Sequence, residues 1–186
     1  MNIHTVAFDI GETLVRDDRY WAGWANWCQV PPHTMSALVG AVVARGQDNA
    51  DALRLICPGL DIAAAYAERE AAGLGERLDE TDLYDDVRPT LARLREAGFR
   101  VVIAGNQTAP MGELLRALGL PADVVATSGE WGTHKPLPSF FTRVIEAADC
   151  PADEILYVGD HPANDLVPAK AAGLRAAHLR RGPWGH

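Results

Sequence analysis

The feature that most limits how this chain folds is a repeated alternation of short apolar segments with amphipathic helical ones. Thr5–Phe8, Arg100–Ala104, Val124–Thr127, Ile155–Val158 and Arg175–Leu179 are four or five residues long, and most are continuously apolar. That is the signature of strands covered on both faces. Between them run helical stripes. Val87, Leu91 and Leu94 share one face, with Pro89 suited to a first turn and Gly98 to the stop. Met111, Leu114, Leu115 and Leu118 form the next stripe, and Phe140, Phe141, Val144, Ile145 and Ala148 another. A last helix is expected after Asn164, ending at Gly173, with Pro168 near its first turn. The pattern predicts an α/β fold, a doubly wound parallel sheet with helices on both faces.

One stretch breaks the alternation. Residues 16–83 carry no strand signal and read as helices at Tyr20–Cys28, Met35–Arg45, Asn49–Ile56 and Ile62–Leu74. Pro31-Pro32, Gly46 and Pro58-Gly59 punctuate them. Residues 1–15 and 84–186 are therefore expected to form the α/β core, and 16–83 an inserted helical cap, hinged near Val15–Asp17 and Leu83–Asp86. In doubly wound sheets ligands bind outside the carboxyl ends of the strands. An insert leaving the first strand there would lie over that site.

Composition narrows the function classes. The 48% hydrophobic and 23% charged residues are ordinary for a globular domain. The net charge of −8 and the lack of a basic stripe argue against nucleic-acid binding. No apolar run approaches the ~20 residues of a membrane span. The N-terminal residues run straight into an acidic turn and read as a strand rather than a signal peptide. Cys28, Cys57 and Cys150 match no metal-ligand spacing, so reduced, mostly buried thiols in a cytoplasmic protein are expected. The sequence is compatible with a monomer or a homodimer.

Chemistry-bearing residues gather where strands end. Asp9-Ile10-Gly11-Glu12-Thr13 follows the first strand, and Gly105-Asn106-Gln107 the second. Gly132-Thr133-His134-Lys135-Pro136 follows the third, and Gly159-Asp160-His161-Pro162-Ala163-Asn164-Asp165 the fourth. Parallel strands bring these loops to one edge, placing three carboxylates and a lysine in one crevice. A carboxylate can attack phosphorus and hold the phosphoryl group as an acyl phosphate. The charge that gathers needs a hard cation, and magnesium favours one or two carboxylates with waters and phosphate oxygens. Asp9 and Asp160 fit that role, and Lys135 can neutralise further charge. Backbone amides of the Gly11–Thr13 and Gly105–Gln107 turns can cradle phosphate oxygens.

On these four motifs the chain resembles the haloacid dehalogenase (HAD)-like hydrolase superfamily, in its helical-cap, phosphatase-like branch, over its whole length. The resemblance implies a Rossmann-like core and a hydrolase. Asp9 would be nucleophile and metal ligand, the position-11 carbonyl a second ligand, Asp160 a third, and Lys135 the charge stabiliser. Asp165 would be a further ligand through water or would hold Lys135. Gly105, Asn106 and Lys135 would bind phosphate. The implied cofactor is Mg2+ and the implied partner a small phosphorylated metabolite, turned over through a phosphoaspartate.

Two positions depart from the pattern. Gly11 stands where family phosphatases carry an acid/base Asp, and Gly105 where they carry Ser or Thr. A main-chain ligand survives at Gly11. The lost general acid–base help is worth ~10²–10⁴-fold, so turnover is expected to be low. Glu12 is a candidate replacement. A phosphate-binding or regulatory protein without turnover is an alternative, and a dehalogenase or C–P hydrolase another. Asp160 and Asp165 together favour metal and phosphate over a C–halogen bond.

Further candidates flank the site. Trp131, His134 and His161 could touch substrate or support the groups that do. Trp21, Trp24 and Trp27, three apart on one helix, either form the cap core or wall the site mouth. Arg16 and Arg19 either meet a substrate anion or face solvent. The tail Arg180–Gly185 either covers the core or lies against a partner.

Overall fold

The computed structural model describes residues 2–186. Five parallel strands, β1 (Thr5–Phe8), β2 (Arg100–Gly105), β3 (Val124–Thr127), β4 (Ile155–Gly159) and β5 (Arg175–His178), form one sheet in the order β3-β2-β1-β4-β5. The doubly wound arrangement expected from the sequence is therefore present. β1 lies at the centre, with Phe8 in register with Ile103 on one side and Val158 on the other. The chain leaves β1 for β2 and later returns to β4, so the strand order reverses between β1 and β4. A crevice forms outside the strand ends at such a switch point.

The period-two alternation of the strands sorts their side chains between two cores. Val6, Phe8, Val101 and Ile103 pack beneath α5 (Val87–Glu96) and α6 (Ala109–Ala117), against Leu91, Met111 and Leu115. Ala7, Val102, Ala104, Ile155 and Tyr157 face α8 (Pro138–Ala148) and α9 (Val167–Ala171), against Phe140, Phe141, Val144 and Ala169. Two details differ from the sequence reading. A four-residue helix, α7 (Ser128–Trp131), separates β3 from Lys135, so the lysine does not directly follow its strand. The last helical segment begins as a π-turn, Pro162–Leu166, before α9, which holds Pro168 at its start.

By internal contacts the chain divides into two compact units, Met1–Arg16 with Leu78–His186, and Asp17–Arg77. The second unit is made of α1 (Asp18–Trp27), α2 (Pro32–Val43), α3 (Asp51–Ile56) and α4 (Ile62–Ala71). Trp24 is fully buried there, edge-on to Tyr66 at 5.1 Å and beneath the Arg69 guanidinium at 4.2 Å. Trp24 thus belongs to the core of this unit, and Trp21 is also buried. The cysteines are free but half-buried, more open than the sequence suggested. No helix among the described residues is long and apolar enough to cross a membrane.

Candidate active site

Asp9 is the first residue past β1, and its amide donates to the Val158 carbonyl of β4 at 2.9 Å. Asp160 is the first residue past β4. Because β1 and β4 pair, the two carboxylates leave neighbouring strand ends. Asp165 enters from the π-turn and is fully buried. Its Oδ2 accepts from the His161 amide at 2.9 Å, which ties the start of the turn to its end. A side chain at Gly159 would run into the Asp165 carboxyl group, so the glycine before Asp160 leaves room for the second acid. Lys135, 5% exposed, reaches in from the loop before α8. Its Nζ lies 2.5 Å from Asp9 Oδ1 and 2.6 Å from Asp165 Oδ1.

These charges set each other's protonation. Burial pushes the Asp9 carboxyl up from 3.8 to about 6; Lys135 pulls it down and Asp165 pushes it up. Burial, then the Asp9 and Asp165 charges, push Asp160 up to about 8. Burial alone would lower Lys135, but Asp165 and Asp9 more than reverse this and hold the ammonium well above its ordinary value. Carboxylates raised first by burial and then by neighbouring acids hold their protons until a positive charge offsets them. Asp9, Asp160 and Asp165 each offer an oxygen within 4.8 Å of the others. An oxygen-only set with surplus negative charge suits a hard divalent cation rather than a thiophilic metal.

The remaining sequence candidates fall around this cluster. A Cβ at Gly105 would collide with Asp9 Oδ1 and lie 3.1 Å from the Ile10 amide nitrogen. The Asp9 side chain thus occupies the space that a serine or threonine at 105 would enter. The Asn106 side chain is held at both ends by the Lys135 main chain, donating to its carbonyl at 3.0 Å and accepting from its amide at 2.8 Å. Asn106 therefore fixes the lysine loop. The expected amide cradle is also partly engaged: Glu12 N donates to Val15 O, Thr13 N to Ile10 O, and Gln107 N to Ser128 Oγ. Gly11 forms a bridge with Val15.

Glu12 has a left-handed backbone, φ 50°, and its carboxylate accepts from the Tyr84 hydroxyl at 2.5 Å. The Trp131 ring packs on Phe140, with centroids 5.3 Å apart, in the core beneath α8. His134 is exposed, with Nδ1 2.9 Å from the Lys135 carbonyl oxygen. His161 follows Asp160 and stacks on Trp184. Arg16 donates to the Leu83 carbonyl and pairs with Asp85, bracing the return from the helical unit.

Three contributors escaped the sequence reading. Tyr157 lies beneath Lys135, its ring centroid 5.9 Å from Nζ and its hydroxyl donating to Ala104 O at 2.8 Å. Tyr84 engages Glu12 across 72 residues. Arg181 donates to the Thr13 carbonyl across 168. A tyrosine closing an insert or an arginine after a last strand carries no local pattern; only the fold joins them to the Asp9 loop.

Comparison with known proteins agrees with the geometry. The model of the haloacid dehalogenase-like hydrolase family matches residues 3–173. A glyceraldehyde 3-phosphate phosphatase of Methanopyrus kandleri is 34% identical over 104 residues, covering 54% of this chain and 45% of that protein. The chain thus spans about half the length of such curated relatives. Among solved structures, the HAD hydrolase YfnB of Bacillus subtilis, bound to magnesium, superposes with a TM-score of 0.70 at 18% identity, over 97% of this chain and 88% of that one. A 2-haloacid dehalogenase of Pseudomonas syringae superposes at 0.60 and 21% identity, over 96% and 86%. These structures carry the fold, and the family model spans most of the sequence: the chain belongs to the haloacid dehalogenase-like hydrolases.

Proposed function

We propose that this protein is a magnesium-dependent phosphatase or phosphoryl-transfer enzyme acting on a small phosphorylated metabolite through a phosphoaspartate at Asp9. The observation that carries the reading is the buried cluster of Asp9, Asp160 and Asp165 around Lys135. A dehalogenase needs one attacking carboxylate, whereas three crowded acids call for a cation. Asp9, Asp160, Asp165 and the Gly11 carbonyl would hold magnesium, which when bound offsets charge on the phosphoryl oxygens and the three acids. Phosphatases named among the relatives support the substrate class.

The chain's own residues then do the following. Asp9 attacks phosphorus with a carboxylate oxygen. The P–O bond to the leaving group breaks, and its electron pair departs with that oxygen. Lys135 stays protonated beside Asp9, lowers the repulsion between nucleophile and phosphate, and is kept in place by Asp165 and Asn106. Water then attacks the phosphorus, and the bond from phosphorus to the Asp9 oxygen breaks with its electron pair returning to the carboxylate. Inorganic phosphate leaves, and the proton lost by the water passes to solvent. Gly11 has no side chain to protonate the leaving oxygen in the first step or to take a proton from the attacking water in the second. Glu12, the nearest substitute, is bonded to Tyr84. Substrates whose leaving group departs unprotonated, aryl and acyl phosphates, should therefore outrun alkyl phosphates.

The test is hydrolysis of an aryl, an acyl and an alkyl phosphate, with and without magnesium, in wild type and Asp9→Asn. Magnesium-dependent turnover of the first two, lost in Asp9→Asn and preceded by a burst of one product per site, is expected. Equal turnover by Asp9→Asn overturns the assignment of the nucleophile. Brisk hydrolysis of the alkyl ester overturns the missing-acid reading.

A further inference from the structure

The last residues after β5 touch both acid-bearing loops. Leu179 N continues the sheet by donating to Gly159 O at 2.9 Å, immediately before Asp160. Arg181 then turns toward the Asp9 loop. Its Nη1 donates to Thr13 O at 2.8 Å, its guanidinium lies 4.2 Å over the Tyr84 ring, and its Nη2 pairs with Asp86. Gly182 follows in a left-handed conformation, φ 58°, and a Cβ there would lie 2.5 Å from Glu12 Cγ and 2.6 Å from Glu12 Cβ. Only glycine lets the backbone approach Glu12 so closely. Two residues on, the Trp184 ring stacks on His161, with centroids 3.8 Å apart and planes 16° from parallel. His161 is the neighbour of Asp160, its amide holds Asp165 Oδ2, and its Nδ1 accepts from Asn164 N at 3.4 Å. The turn closes on itself through Gly185 N and Arg181 O at 3.1 Å.

We infer that Arg181 and Trp184 are positioning residues, the two jaws of a clamp that holds the Asp9 loop and the Asp160–Asp165 loop in register across the crevice. This rests on the proposed function for its kinetic meaning, and on the contacts alone for its structural one. Neither side chain need touch substrate. Arg181 acts through the Thr13 carbonyl, and Trp184 through the His161 ring and so through the amide that holds Asp165. A metal site assembled from two loops depends on their spacing, and partners that orient ligands from behind are typically worth about 10–100-fold in metal affinity or activity. The two attachments also differ in kind. A guanidinium fork bonding a carbonyl tolerates little substitution, whereas a ring stacked on a ring is replaceable by another ring.

The experiment compares wild type, Arg181→Met, Trp184→Ala and Trp184→Phe by magnesium titration and by hydrogen exchange in metal-free buffer. Trp184→Ala and Arg181→Met should each weaken magnesium about tenfold or more. Their amides at Glu12–Leu14 and at Asn164–Asp165 should exchange faster, while β2 amides keep wild-type rates. Trp184→Phe should restore most of the affinity, which a general loss of stability would not allow. Wild-type affinity and wild-type exchange at both loops in Trp184→Ala and Arg181→Met would overturn the clamp. So would faster exchange spread evenly into β2, with Trp184→Phe as impaired as Trp184→Ala. If wild type itself binds no magnesium, the proposed function fails, and the exchange rates at the two loops still decide the clamp.

Discussion

Replacing Lys135 by methionine tests the charge balance on which the site depends. Methionine keeps a long unbranched stem but removes the ammonium between Asp9 and Asp165, 2.5 and 2.6 Å away. Breaking one buried pair by removing a partner costs about 3–5 kcal/mol. Two pairs share this amine, so their losses do not add, and about 4 kcal/mol is expected at pH 8 without metal. The loss should shrink in acid. Asp9 and Asp160 stand at about 6 and about 8 when folded, above the ordinary 3.8, so the folded state binds more protons than the unfolded. Their contribution is fully present below pH 3.8 and is lost as pH rises through 6 and 8. Without Lys135, which pulls both down, the two groups move higher still, and the deficit against wild type widens with pH. Urea unfolding in EDTA measures this. With a slope of about 2 kcal/mol/M, the midpoint should fall by about 2 M at pH 8 and by less than half as much at pH 5. Millimolar magnesium should recover part of the loss by supplying the missing positive charge. An equal loss at both pH values, or a variant as stable as wild type at pH 8, would refute the charge balance described.

Other consequences are as direct. Gly11→Asp should raise the steady hydrolysis rate of an alkyl phosphate, by up to ~10²–10⁴-fold if the new carboxyl supplies general acid–base help; stopped-time product assays read this, and no gain would place the limitation elsewhere. Gly105→Ser, which restores the family residue, should destabilise the metal-free protein by about 1–3 kcal/mol, because its Cβ meets Asp9 and the Ile10 backbone; denaturant unfolding checks it. Magnesium affinity should climb between pH 6 and pH 8.5, since Asp160 at about 8 and Asp9 at about 6 must release protons to ligate. Calorimetry in buffers of different ionisation heat counts those protons, and a flat profile would contradict the raised carboxyls.

Much of the architecture is legible because local rules and tertiary demands agree. Strands such as Val101–Ala104 are apolar on both faces because both faces are covered. Parallel strands bring their carboxyl ends to one edge of the sheet, which carries the residues beyond Phe8 and Gly159 into the crevice there. Asp9 and Asp160 could therefore be placed from strand ends alone. Lys135 was harder, because the short helix α7 stands between its strand and the crevice. Asn106 was placed in the phosphate-binding turn, and its side chain also matches the Lys135 peptide group in both donor and acceptor, a contact the sequence did not show. Sequence names that residue without saying which way it turns. The Glu12–Tyr84 bond and the Arg181–Trp184 contacts lay beyond reach for another reason. Tyr84 reaches Glu12 across 72 residues, Arg181 reaches Thr13 across 168, and Trp184 meets His161 from beyond the last strand, all through side chains that follow no periodic pattern.

Phosphorylation of Asp9 in a magnesium-bound site is the claim from which the mechanism follows. Beryllofluoride mimics an aspartyl phosphate, and 19F resonance spectra of the protein with magnesium and beryllofluoride test the claim without depending on turnover. Bound fluoride resonances should appear in wild type only when magnesium is present, and should vanish in Asp9→Asn. No bound resonance in wild type, or resonances that persist unchanged in Asp9→Asn or in EDTA, would contradict it.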